Sequence, residues 1–189
     1  YKIMRRRKDL PSTSTPPPGA FLDVFREVSQ KANSIVCITL TGLQSKTFQA
    51  ALVAKEMAKE VIPNSPIEVI DSRAVAGALG FVVLEAARVA HEGAGLDRVV
   101  AKARDVMGRV ALLAVLDTLY YLARTGRIAR AAHWAGSILN MKPLLEHNPD
   151  IGETTPVARP RTRAKAVEQM LQLVMERAGN SKLHVIVHH

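Results

Sequence analysis

Residues 34–71, SIVCITLTGLQSKTFQAALVAKEMAKEVIPNSPIEVID, decide the fold. The run 34–40 is rich in β-branched and apolar residues, which predicts a buried strand. Residues 47–61 are rich in Ala and Lys and predict a helix. Residues 66–71 (PIEVID) predict a second buried strand that ends on an acid. Continuous apolar strands separated by a helix argue for a parallel sheet covered by helices on both faces. Ligands of such sheets sit at the carboxyl ends of the strands. Here those ends are the loops 41–45 and 71–73.

Outward from this unit, residues 11–18 (PSTSTPPP) read as a linker or turn. A helix is predicted over 19–31, with Phe21, Leu22, Val24, Phe25 and Val28 on one face. A small-residue helix spans 74–91, with Gly77 and Gly80 expected at a close helix contact, and another helix spans 96–106. The apolar run 110–116 fits a third strand. Residues 119–125 form an apolar helical segment that Gly126 ends in a left-handed conformation. A second helical run leads to Gly136, and 138–145 is strand-like. Residues 148–152 predict a hairpin turn, 155–157 continue a strand, and 163–177 form a helix with Val167, Met170, Leu171 and Val174 on one face. Residues 183–187 (LHVIV) predict a final strand. The expected architecture is therefore α/β. A parallel sheet flanked by helices occupies an N-terminal domain, 1–125, and a smaller α/β domain with a mixed sheet occupies 126–189. No strand precedes the basic opening and the chain stops just past a buried strand, so it reads as truncated at both ends.

Of the 189 residues, 48% are hydrophobic and 23% charged, ordinary values for a globular protein. Aromatic residues are only 4%, which argues against a platform of stacked rings for nucleic acid. The net charge of +9 comes from scattered Lys and Arg, with one dense run at Arg5-Arg6-Arg7-Lys8. A basic balance suits nucleic acid, an anionic membrane surface or an acidic ligand, and scattered charges of this kind also fit a plain solvated surface. The single cysteine, Cys37, excludes an internal disulfide and is expected as an inert buried thiol. No apolar run spans a membrane and no signal peptide is visible, so a cytoplasmic setting is expected.

Six histidines follow no ligand spacing, so no metal site is expected. G-x-S-x-G, Walker A and G-x-G-x-x-G patterns are all absent. The hydroxyl clusters carry more. Ser12-Thr13-Ser14-Thr15 and Thr41 to Ser45 each precede a helix, where a hydroxyl serves as a cap. Together, two hydroxyl loops at helix N-termini suit one carboxylate or phosphate. Arg161 and Arg163 add charge-assisted bonds, or open a helix as solvated residues.

Five segments, in order, resemble one family. Pro11 to Pro16 with Gly19-Ala20-Phe21 is similar to its "TSQPSPGEF" loop, and Ser45 to Ala50 to its "SGTYQSA" segment. Ile70-Asp71-Ser72 with Gly77 and Gly80 resembles its "VIDS…GLG" segment. Leu119 to Leu145 resembles "LEYLKKGGRI…LLNIKPIL", and Arg161 to Ala166 resembles "VRTRKKA". The family is DegV, the bacterial fatty-acid-binding proteins. The resemblance implies a two-domain protein that carries a long-chain fatty acid such as palmitate or oleate and uses no cofactor. It implies a carrier rather than an enzyme, presenting the acid to a fatty acid kinase for phospholipid synthesis. Head-group positions of the family match Thr13 and Ser45, with Ser14 as the neighbouring hydroxyl, and Arg161 then Arg163 as the basic residue. A histidine of the family's "GxHxGPG" segment has no match here. Thr15, Thr41-Gly42 and Lys46 depart from the pattern, and Lys46 adds a charge beside Ser45. Two rival readings remain: an acyl-ester hydrolase with Ser45 as nucleophile, and a basic nucleic-acid-binding regulator.

Overall fold

The computed structural model describes residues 11–128 and 141–188. In chain order the elements are α1 (Pro18–Ser29), β1 (Ile35–Thr39), α2 (Thr47–Val61), β2 (Ile67–Asp71), α3 (Ala76–His91) and α4 (Leu96–Met107). They continue with β3 (Leu112–Val115), α5 (Tyr120–Arg124), β4 (Leu144–Asn148), β5 (Glu153–Ala158) and α6 (Arg163–Ala178). The chain divides into two compact units. Of the described residues, one comprises 15–112, 147–153 and 183–188; the other comprises 11–14, 113–128, 141–146 and 154–182.

In the first unit, β1 and β2 pair in parallel, Ile35 opposite Ile67 and Thr39 opposite Asp71. Successive side chains of a strand point to opposite faces, and the two cores divide accordingly. Ile35, Cys37, Ile67 and Val69 pack with Leu22 and Phe25 of α1 and Ala54 and Ala58 of α2. Val36, Ile38 and Ile70 pack with Val82 and Ala86 of α3 and Val99, Val100 and Ala103 of α4. The sheet is thus covered on both faces, as its unbroken apolar strands require. Cys37 lies within the α1–α2 core, and burial pushes its thiol pKa up.

The expected helix 74–91 starts two residues late. Arg73 and Ala76 hold φ of 50° and 49°, a left-handed backbone that no glycine announces in the sequence. Gly77 meets the segment near the C-terminus: an added Cβ would lie 2.6 Å from His188 Nε2 and 3.6 Å from Ile186. Gly80 has nothing within 4 Å, so the close helix contact expected of this glycine pair is not made. The predicted strand 183–187 does not form either. Leu183, Val185, Ile186 and Val187 are exposed and pair with no strand among the described residues. An apolar run becomes a strand only where a partner edge receives its N–H and C=O groups.

The second sheet runs β3-β4-β5 and is antiparallel, where a mixed sheet was expected. The apolar run 110–116 does contain a strand, β3, but it joins this sheet and not the parallel one. Leu119, Ile128 and Leu145 form a buried cluster with Leu116 and Leu122 beside them. Gly126 ends α5 as expected, with φ +72°. The helical run expected after it and the strand-like residues 138–140 fall largely outside the described residues. The turn at 148–152 forms: Asp150 N–H donates to Asn148 Oδ1 at 2.8 Å, and Gly152 N–H to the Asn148 carbonyl at 2.8 Å. In α6, Thr162 Oγ1 caps the Lys165 N–H at 3.3 Å.

Candidate functional site

In the first unit, the loops leaving β1 and β2 are tied together by backbone groups and one carboxylate. Ser72 N–H donates to the Thr39 carbonyl and Thr41 N–H to the Ala74 carbonyl, both at 3.1 Å. Asp71, where β2 ends, accepts Gly42 N–H on Oδ2 at 3.1 Å and Arg73 N–H on Oδ1 at 2.9 Å. The second of these bonds holds Arg73 in its left-handed conformation. Thr41 is fully buried, and its hydroxyl donates to the Gly152 carbonyl at 2.9 Å. The same hairpin tip supplies two partners to Arg73. The guanidinium donates to the Asp150 carbonyl at 3.1 Å, and the Arg73 carbonyl lies 3.0 Å from His147 Nε2. A carbonyl only accepts, so Nε2 carries the proton of the neutral ring. His147 is 3% exposed, and burial pushes its pKa below the ordinary value against the opposing pull of the Arg73 carbonyl.

Ser45 stands at the entrance to α2. Its Oγ accepts the Thr47 N–H at 3.2 Å and lies 2.7 Å from Thr47 Oγ1. Ser45 is therefore not the helix cap expected of it: the N-cap position is Lys46, without a side-chain cap bond, and Ser45 instead closes a two-residue turn onto Thr47. Among the described residues its hydrogen-bond partners are both groups of Thr47, with no imidazole or carboxylate. Lys46, beside it, is exposed.

The other expected site residues belong to the second unit. Thr13 and Ser14 are exposed, and neither caps α1, whose N-cap is Pro17 followed by Pro18 at the first helical position. Thr13 Oγ1 accepts a 3.4 Å bond from the guanidinium of Arg127, 114 residues away. Arg127 follows Gly126 within the motif that carries the resemblance. Arg161 is exposed and has no ion pair among the described residues. Arg163 lies 3.8 Å from Asp117 Oδ1, which also pairs with Lys142 at 3.0 Å. The two arginines therefore differ: one is engaged by an acid and the other is not. Among the described residues no group of three His, Cys, Asp or Glu is placed to hold a metal ion, and no helix is long and apolar enough to cross a membrane.

The sequence model described as "Uncharacterised protein, DegV family" matches residues 1–189. The chain belongs to the DegV family. A DegV domain-containing protein of Caldanaerobacter subterraneus subsp. tengcongensis is 36% identical over 171 residues, covering 90% of this chain and 59% of that protein. The fold is similar to that of a fatty-acid-binding DegV family protein from Thermus thermophilus, with a TM-score of 0.83 and 30% identity, covering 95% of this chain and 61% of that one. A stearic acid-binding protein from Eubacterium ventriosum gives a TM-score of 0.84 at 26% identity, covering 94% and 60%. This DegV chain thus spans about three fifths of the length of the relatives it matches.

Proposed function

We propose that this chain binds a long-chain fatty acid, such as palmitate or oleate, and acts as a carrier and not as a catalyst. The observation that carries the reading is its likeness, at 30% identity and a TM-score of 0.83, to the fatty-acid-binding DegV protein of Thermus thermophilus. In this reading Thr13 and Ser45 donate to the carboxylate, with Ser14 as the adjoining hydroxyl. Arg161 supplies the positive charge, because Arg163 is shared with Asp117. Arg127 holds the Thr13 hydroxyl. Each buried methylene contributes about 0.8 kcal/mol, so the acyl chain supplies most of the affinity and the polar groups set orientation.

The bound acid is presented to a fatty acid kinase, which supplies ATP and phosphorylates the carboxylate for phospholipid synthesis. The carrier works in the cytoplasm, and its basic surface suits an anionic membrane. A hydrolase would need a general base within reach of Ser45, and Thr47 provides none. Native mass spectrometry of protein purified from bacteria tests the reading. A co-purified mass equal to a long-chain fatty acid is the expected result; empty protein that also ignores added palmitate and oleate overturns it. The pair Thr13→Ala with Ser45→Ala is expected to weaken oleate binding at least tenfold, since two hydrogen bonds to a charged group are lost. Unchanged affinity in that pair refutes the head-group assignment.

A further inference from the structure

We infer that Thr47 is a positioning residue that turns the Ser45 hydroxyl into an outward donor for an anionic head group. The inference rests on the head-group reading above. A serine hydroxyl has one proton to give and two lone pairs to fill. One lone pair of Ser45 Oγ is filled by the Thr47 N–H at 3.2 Å. The 2.7 Å contact with Thr47 Oγ1 can run either way. If Ser45 donates to Thr47, its only proton is spent inside the turn, and what remains facing outward is an acceptor that repels a carboxylate. If Thr47 donates to Ser45, both lone pairs are filled and the Ser45 proton must point away from the turn.

An incoming carboxylate selects the second arrangement. The result is a short chain in which the Thr47 hydroxyl donates to Ser45, and Ser45 donates to the anion. Each bond in such a chain polarises the next and strengthens it by about a tenth to a third. Thr47 is the first residue of α2, and its backbone N–H is fixed by the helix start. Both groups that fill the Ser45 lone pairs therefore come from one residue held by the helix. The specificity that follows is for an anion over a neutral ester, because only an anion draws the Ser45 proton strongly.

The test is oleate and methyl oleate binding to the delipidated protein by calorimetry, with Ser45→Ala, Thr47→Val, Thr47→Ser and the double variant Ser45→Ala with Thr47→Val. Thr47→Val is expected to weaken oleate binding roughly threefold and to leave methyl oleate unchanged, with Thr47→Ser restoring oleate affinity. In the Ser45→Ala background the Thr47→Val effect should vanish, a coupling that a general loss of packing does not generate. If Thr47→Val lowers the melting temperature, Thr47→Ala enters the same cycle, and the coupling with Ser45→Ala decides. Equal oleate affinity in Thr47→Val beside a weakened Ser45→Ala overturns the role of Thr47 and leaves the head-group reading standing. Unchanged affinity in Ser45→Ala overturns both.

Discussion

The hydroxyl of Thr41 donates a 2.9 Å hydrogen bond to the carbonyl of Gly152, 111 residues further along the chain. Gly152 also has φ +67°, and a Cβ there would lie 2.8 Å from that same Thr41 oxygen. Gly152→Ala therefore combines two costs, a left-handed backbone that alanine resists and a clash with a buried group. A loss of about 3 kcal/mol is expected, read from urea denaturation midpoints. Gly126 is the control. Its φ is +72° but nothing lies within 4 Å of an added Cβ, so Gly126→Ala should cost only about 1 kcal/mol. Equal losses at the two sites would contradict this account.

Asp71 holds two loops through two backbone donors, Gly42 N–H and Arg73 N–H. Asp71→Ala leaves both exposed donors to water and is expected to destabilise by about 1 kcal/mol. Asp71→Asn keeps one acceptor oxygen and should recover part of the loss. Equal midpoints for the Ala and Asn variants would show that the carboxylate is not the clamp.

The fold favours the neutral form of His147, because burial lowers its pKa from the ordinary 6.5. The unfolded chain then binds more protons than the native one as pH falls below that value. The stabilisation is complete above pH 6.5 and is lost as pH falls through the folded pKa. Urea midpoints measured from about pH 8 to about pH 5 should decline on the acid side. His147→Gln, which keeps a donor near the Arg73 carbonyl, should flatten that decline. A slope of undiminished size in the variant would assign it to other groups.

Arg177 of α6 makes a two-pronged ion pair with Glu146 of β4, one prong at 2.9 Å. Glu146 is largely shielded, with a side chain 15% exposed, whereas that of Arg177 is 46% exposed. Arg177→Lys loses the planar fork and is expected to cost about 1 kcal/mol after allowance for solvent screening. The difference from the wild type should shrink in about 1 M salt. A difference that persists there would point to packing of the arginine stem.

The parallel sheet was legible because Ile35 to Ile38 are apolar and Ile67, Val69 and Ile70 place apolar side chains on both faces, and this pattern has one common solution. The left-handed start of α3 was not legible. Arg73 and Ala76 have no local preference for that backbone, and at Arg73 it is held by Asp71 and by groups from residues 147–150. Residues 183–187 misled because strand propensity reports side-chain fit, while a strand needs a partner edge. At the site, Ser45 was legible as a hydroxyl before a helix. Its relation to Thr47 needed coordinates, as did that of Arg127 to Thr13, because spacing along the chain says nothing of a contact 114 residues apart.

The compact unit built on β1 and β2 takes in residues 147–153, so it is not one continuous piece of chain. During synthesis at about 5–20 residues per second, Thr41 leaves the ribosome about 5–20 s before its acceptor at Gly152 exists. Over that interval the Thr41 hydroxyl has no Gly152 carbonyl to donate to, so this unit closes only after residues 147–153 are made.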